Sequence, residues 1–184
     1  MDLSPTAYVI LGMVSREARS GYEIKSLVDN STRFFWAASY GQIYPELKRL
    51  AKAGLVEGAD APTGGRKRTV YAITATGEEA LKGWLQQPPA TSEMREEGLL
   101  KLFFAGVLPH EDAAPILVSM REHRRRMVER LREIEPKAAA KADGGDPFPL
   151  MVLRSGIEFN EWFAEWCERM ESQLLAQTPK EGSS

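Results

Sequence analysis

Three adjacent cations, Arg66, Lys67 and Arg68, follow Thr63-Gly64-Gly65 in a stretch that reads as a flexible turn. Charges grouped in this way suit contact with phosphates or insertion into a groove of duplex DNA. A second set lies upstream, between Ser39 and Lys52. On a helical wheel Ile43, Leu47 and Leu50 point one way, and Gly41, Tyr44, Pro45, Lys48 and Lys52 point the other, with Gln42 and Arg49 on the flank. The outward face offers Lys48 to phosphates and, near its start, Tyr40, Gln42 and Tyr44 to base edges. A glutamine can pair bidentately with adenine, and aromatic edges can meet thymine methyls. Gly41 lets the backbone approach closely. Lys25, on an earlier helix, is a further candidate phosphate contact. Taken singly, each set also reads as an ordinary solvated helix face or a soluble turn.

The second half of the chain offers different chemistry. Phe159, Trp162, Phe163 and Trp166 recur at helical spacing. Such a stripe is usually core, yet in a dimer cavity it would suit a flat apolar ligand, so these four are the candidate effector-lining residues. Cys167 is the single cysteine, which excludes an internal disulfide and a cysteine-based zinc site. Flanked by Glu165 and Glu168, it reads as an inert buried thiol. Two histidines, His110 and His123, are too few for a dedicated metal site. There is no Ser/His/Asp set, phosphate-binding glycine loop or evident carboxylate pair. The expectation is a protein that is not an enzyme and needs no metal or cofactor.

The composition permits this reading. The 184 residues are 43% hydrophobic and 27% charged, which excludes wholesale disorder. No apolar run approaches a membrane span, and the start lacks the basic and apolar regions of a signal peptide, so the expected location is cytoplasmic. The net charge of −2 argues weakly against a nucleic-acid binder. Its distribution argues the other way. Residues 1–86 hold 11 Lys/Arg against 9 Asp/Glu, whereas residues 87–184 hold 13 against 17. Local charge governs a docking face more than the total does.

Positioning these groups requires particular elements. Ser4-Pro5 caps a first helix with Ala7, Ile10, Leu11 and Val14 inward. Ser20 and Glu23 form a capping box that opens a second helix, with Ile24, Leu27 and Val28 inward. The third helix begins near Ser39, with Gln42 three residues on, and ends at Gly54. Pro45 falls inside it, which predicts a bent first turn or a later start. A β-hairpin follows, Leu55–Asp60 and Arg66–Ile73. A second box, Thr76 and Glu79, opens a fourth helix with Ala80, Leu81, Trp84 and Leu85 inward. Three helices followed by a hairpin make a winged helix-turn-helix, whose third helix enters the major groove. A winged helix that binds only proteins remains the alternative.

These residues also resemble a known family, the PadR transcriptional regulators. The likeness is carried by Gly21-Tyr22-Glu23-Ile24, by Gly41-Gln42-Ile43-Tyr44-Pro45-Glu46-Leu47-Lys48-Arg49-Leu50 with Gly54-Leu55-Val56, and by Arg68, Tyr71-Ala72-Ile73-Thr74, Gly77 and Trp84. The resemblance implies a dimeric, usually repressing regulator that binds a palindromic operator and often answers to a small molecule. It implies that Tyr22 lies near the DNA backbone, that Ser39 to Tyr44 faces bases, and that Gly65 to Arg68 meets the flanking duplex. Leu99-Leu100-Lys101-Leu102-Phe103-Phe104 resembles the opening of the helical C-terminal domain of the longer subfamily.

The second half reads as three helices. Glu93–Leu108 is rich in large apolar residues. From about Glu111 to Ala142, the residues Ala113, Leu117, Met120, Arg124, Met127, Leu131 and Ile134 form a heptad seam. A last helix runs from Leu150 to about Ala176. The surplus apolar surface predicts a two-fold homodimer through this half. Arg121, Arg124, Arg125 and Arg126 alternate with glutamates and read as a salt-bridged face rather than a second DNA site. The expected fold is mainly α with a small β-hairpin. A winged-helix domain at 1–87 precedes a helical dimerisation and effector domain at 88–184, with 177–184 as a frayed tail.

Overall fold

The computed structural model describes residues 3–61, 68–90 and 95–177. The chain divides into two compact units, Met1–Thr91 and Ser92–Ser184. No helix among the described residues is long and apolar enough to cross a membrane.

The first unit contains α1 (Pro5–Val14), β1 (Arg19–Ser20), α2 (Gly21–Asp29), α3 (Tyr40–Lys52), β2 (Val56–Ala61), β3 (Arg68–Ile73) and α4 (Ala75–Leu85). Its strands form one antiparallel sheet in the order β1-β3-β2. The expected hairpin is present, with Val56 opposite Ile73 and Ala61 opposite Arg68. A third, two-residue strand adds to it: Arg19 pairs with Tyr71 and Ser20 with Val70. Ile10, Leu11, Ile24, Ile43, Leu47 and Leu50 meet in one core. Each such side chain taken from water contributes about 2 kcal/mol.

The helix ends explain why the chain turns where it does. Ser4 Oγ accepts from the Ala7 amide at 3.1 Å. Around α2 the capping box is complete: Glu23 N–H donates to Ser20 Oγ at 3.4 Å, and Ser20 N–H donates to Glu23 Oε2 at 2.8 Å. After α3, Gly54 takes φ +71°, the left-handed conformation that favours glycine. There Leu55 N–H reaches Leu50 O at 2.9 Å and Gly54 N–H reaches Ala51 O at 3.1 Å. This paired closure satisfies the last carbonyls of the helix and feeds Leu55 into the core. Pro45 does not delay α3, which starts at Tyr40 and runs through it. The cap of α4 is Thr74 rather than Thr76. Its hydroxyl accepts from Gly77 N–H at 3.1 Å and donates to Gly54 O at 2.7 Å. Trp84 and Leu85, expected inward, are exposed. Trp84 instead stacks on Tyr8 at 4.5 Å between ring centres.

The second unit contains α5 (Glu97–Phe103), a 3₁₀ turn (Ala105–Val107), α6 (His110–Asp143) and α7 (Phe148–Ala176). The helix expected over 93–108 is thus shorter, and its end tightens into the 3₁₀ turn. The chain reverses after α6 through Gly145, at φ +92°. The heptad seam of α6 faces α7 of the same chain. Leu117 and Met120 pack with Phe163 and Cys167, and Leu131 is also buried. The sequence assigned this seam to a second subunit, whereas an intrachain helical hairpin fills it. The arginines form ion pairs as expected: Arg121 with Glu171, Arg124 with Glu96, Arg125 with Glu168 at 3.0 Å, and Arg132 with Glu161. The Arg125 and Arg132 pairs are exposed and contribute little, whereas the Arg121 and Arg124 pairs are partly buried beside the apolar seam that packs the hairpin.

Candidate nucleic-acid interface

The placement of α3 follows from its inward face. Ile43, Leu47 and Leu50 are buried, and so is Glu46. A buried carboxylate is tolerated only when it is hydrogen-bonded or paired. Glu46 Oε1 accepts from Ser4 Oγ at 2.9 Å, and its Oε2 accepts from Arg49 at 3.2 Å. The cap residue of α1 is thereby tied to the middle of α3. With that face fixed, Tyr40, Gly41, Gln42, Tyr44, Pro45, Lys48 and Lys52 are all exposed, as is Ser39. Lys48 has no ion-pair partner among the described residues, whereas Arg49 is paired with Glu46.

The first turn of α3 is ordered by close contacts. A Cβ on Gly21 would lie 2.7 Å from the Tyr44 ring, so glycine there lets the tyrosine lie against the start of α2. Tyr40 stacks on Tyr44 at 6.1 Å, and the Lys25 ammonium sits 5.4 Å from the Tyr40 ring centre. Lys25 is also ion-paired with Asp29, so its charge is already matched within α2. Tyr22 is well exposed on the same helix.

Gln42 is committed in part. Its Oε1 accepts from Ser39 N–H at 2.9 Å and from Ser39 Oγ at 3.1 Å. That oxygen is spent on the helix cap, and bidentate pairing with adenine would need it. The Nε2 donor remains for a base acceptor such as a purine N7.

Of the four wing residues, Gly65, Arg66 and Lys67 lie outside the described residues. Arg68 opens β3 and is paired with Glu23 of α2 at 2.5 Å. The Arg68 hydrogen bond, followed by the Ser20 backbone N–H, holds the Glu23 carboxyl down to about 2. Sequence reasoning did not single out Phe35 and Trp36, both exposed just ahead of the α3 cap. The signal available for them was the aromatic run Phe34-Phe35-Trp36 next to a capping serine.

In the second unit the four candidate effector residues separate. Phe163 is buried and Trp166 packs against the same core, whereas Phe159 and Trp162 are exposed. The Arg124 guanidinium lies 4.4 Å from the Phe163 ring centre and 5.5 Å from that of Phe159. A cavity of about 540 Å³ lies between α5 and α6, lined by residues including Lys101, Ile116, His123 and Arg126, and none of the four aromatics borders it. Cys167 is buried, and burial pushes its thiol up, which keeps it protonated and unreactive. Among the described residues no cluster of His, Cys, Asp and Glu could hold a metal ion.

A helix-turn-helix with an exposed, cationic third helix, backed by a three-stranded sheet, defines a winged-helix regulator. Comparison with known proteins agrees. The model of the Transcriptional regulator PadR-like family matches residues 10–83, and that of the Virulence activator alpha C-term family matches 94–174. The negative transcriptional regulator PadR of Bacillus subtilis is 27% identical over 174 residues, covering 91% of this chain and 96% of its own. The crystal structure of Bacillus subtilis PadR with operator DNA matches at TM-score 0.86 and 25% identity, over 95% of this chain and 99% of that one. The same protein with p-coumaric acid matches at TM-score 0.75 and 26% identity, over 94% and 98%. Residues 10–83 carry a PadR-like domain, and the chain is similar to PadR transcriptional regulators over nearly its whole length.

Proposed function

We propose that this protein binds a palindromic operator as a homodimer and represses the adjoining genes, with release by a small aromatic effector. The observation that carries the reading is the exposed first turn of α3, with Tyr40, Gly41, Gln42 and Tyr44 above Lys48, which has no ion-pair partner among the described residues, in a chain that matches an operator-bound relative. Tyr22 and Lys48 contact the backbone, and Ser39 to Tyr44 reads bases. The wing, Gly65 to Lys67, adds phosphate contacts. Lys25 supports Tyr40 while its charge is shared with Asp29. Residues 1–87 serve as the DNA-binding domain and 88–184 as the dimerisation and effector domain. The relatives are transcriptional regulators, so the chain is assigned no catalysis, and it works in the cytoplasm with its operator.

Phosphate and base contacts separate in a salt series. Lys48→Ala should weaken all duplexes alike and reduce the slope of log K against log salt by about 0.9. Gln42→Ala should change sequence preference and leave the slope intact. A Lys48 variant with an unchanged slope would remove that residue from the interface.

The dimer interface is proposed on the apolar strip of α5 and the 3₁₀ turn, where Leu100, Phe103, Phe104 and Val107 are exposed. For the effector, Phe159 and Trp162 are the aromatics available to a flat ligand. Titration with p-coumaric acid should quench tryptophan fluorescence, and Trp162→Phe should remove part of that quench. Undiminished quenching in the variant would place the effector elsewhere.

A further inference from the structure

Arg68 opens β3 at the end of the wing, and the structure gives that residue a partner other than DNA. Its guanidinium reaches Glu23 Oε1 at 2.5 Å, while the other Glu23 oxygen accepts from Ser20 N–H at 2.8 Å and Ser20 Oγ at 2.9 Å. One carboxylate therefore closes the cap of α2 and holds the first residue of β3. The sheet register supports the same junction, because Ser20 pairs with Val70, two residues from Arg68. Arg68 Nε is buried without a hydrogen-bond partner, so the head group is drawn inward at some cost.

We infer that Glu23 and Arg68 are positioning residues, a clasp that roots the start of β3 on the start of α2, and that Arg68 itself is not a phosphate contact. This rests on the DNA-binding reading above. The ionised state the clasp needs is secured, since Glu23 stays charged far below neutral pH. The clasp joins β3 to the segment that carries Tyr22 and that meets the Tyr44 ring at Gly21. It thus fixes how that segment is presented to the duplex.

The two roles for Arg68 predict opposite signs. If Arg68 contacted phosphate, Glu23→Gln would free it and remove a negative charge beside DNA, so affinity would rise. As a clasp, Glu23→Gln should lower affinity about tenfold, as expected for lost charge-assisted contacts. The measurement uses the full chain and a random-sequence duplex, because phosphate contacts do not depend on the operator. Glu23→Gln/Arg68→Gln should bind no more weakly than either single variant. Ser20→Ala, which removes the capping hydroxyl but not the pair, should keep the affinity. Arg68→Gln leaves the cap intact and provides a second readout: amide exchange at Thr69 and Val70 should quicken while the core is unchanged. Equal or tighter binding by Glu23→Gln, or unchanged exchange in Arg68→Gln, overturns the clasp. Absence of any salt-dependent duplex binding by the unaltered protein overturns the DNA-binding reading, and the clasp with it.

Discussion

Phe103→Glu is expected to turn the protein into a monomer and to weaken its operator complex at least about 100-fold. Phe103 is 80% exposed and Val107 88% exposed, on a short stretch that also presents Leu100 and Phe104. Contiguous apolar surface of this kind marks an interface. An aromatic side chain buries roughly 150–250 Å² in such a contact. Glutamate at the centre would leave a charge to be desolvated without a partner, which costs more than the lost packing. Because Phe103 is largely exposed and its ring meets only that of Phe104, edge-on at 5.0 Å, among the aromatic contacts of the described residues, the variant should keep its helix content. Its defect should be one of assembly. A monomer engages one half-site, and joining two half-site binders multiplies affinity by about 10²–10⁴ without any new contact. Sedimentation equilibrium beside a gel shift reads both effects. A variant that remains a dimer would move the interface off α5.

The second large effect concerns folding. Gly77→Ala is expected to destabilise the winged helix by about 2 kcal/mol. A Cβ there would stand 2.1 Å from the Leu55 carbonyl oxygen and 2.9 Å from Ile73 Cγ1. That carbonyl cannot retreat freely, since it accepts from Thr74 N–H at 3.2 Å. Alanine gains about 1 kcal/mol of helix propensity over glycine, which partly offsets the strain of overpacking, about 3 kcal/mol. Gly83 in the same helix is the control, because a Cβ there meets nothing within 4 Å. Gly83→Ala should stabilise by about 0.5–1 kcal/mol. Urea unfolding should show midpoints moving in opposite directions. If both move upward, α4 slides on Leu55 more easily than its contacts imply.

Much of the first unit was legible because its boundaries are local chemistry. Ser4-Pro5, Ser20 with Glu23, Ser39 with Gln42 and the glycine at 54 each announce a helix end through a single hydrogen bond or backbone angle. The strand at Arg19–Ser20 was not legible, since two residues have no periodicity and their pairing depends on β3. Thr74 and Thr76 both offer a hydroxyl near the start of α4, and only the carbonyls of Gly54 and Leu55 decide between them. The heptad seam shows a surface that needs a partner, and its assignment to a second subunit does not hold, because Leu117 and Met120 pack on α7. A seam does not say which helix fills it, and α7 of the same chain competes with a second subunit at no translational entropy cost. Gln42 shows the same limit at atomic scale. The Ser-x-x-Gln spacing supports a cap and the outward position supports base reading, but one oxygen serves only the first fully. Arg68 was assigned by its neighbours in sequence, while its partner Glu23 lies on another element.

The most direct test of the account is a gel shift of the unaltered protein on the DNA upstream of its own gene, across a salt series, with random duplex as competitor. A competitor-resistant complex containing two chains on a palindromic site is expected, with affinity that falls steeply as salt rises. Weak binding, equal for the upstream and random duplexes, would contradict it and leave a winged helix whose partner is a protein.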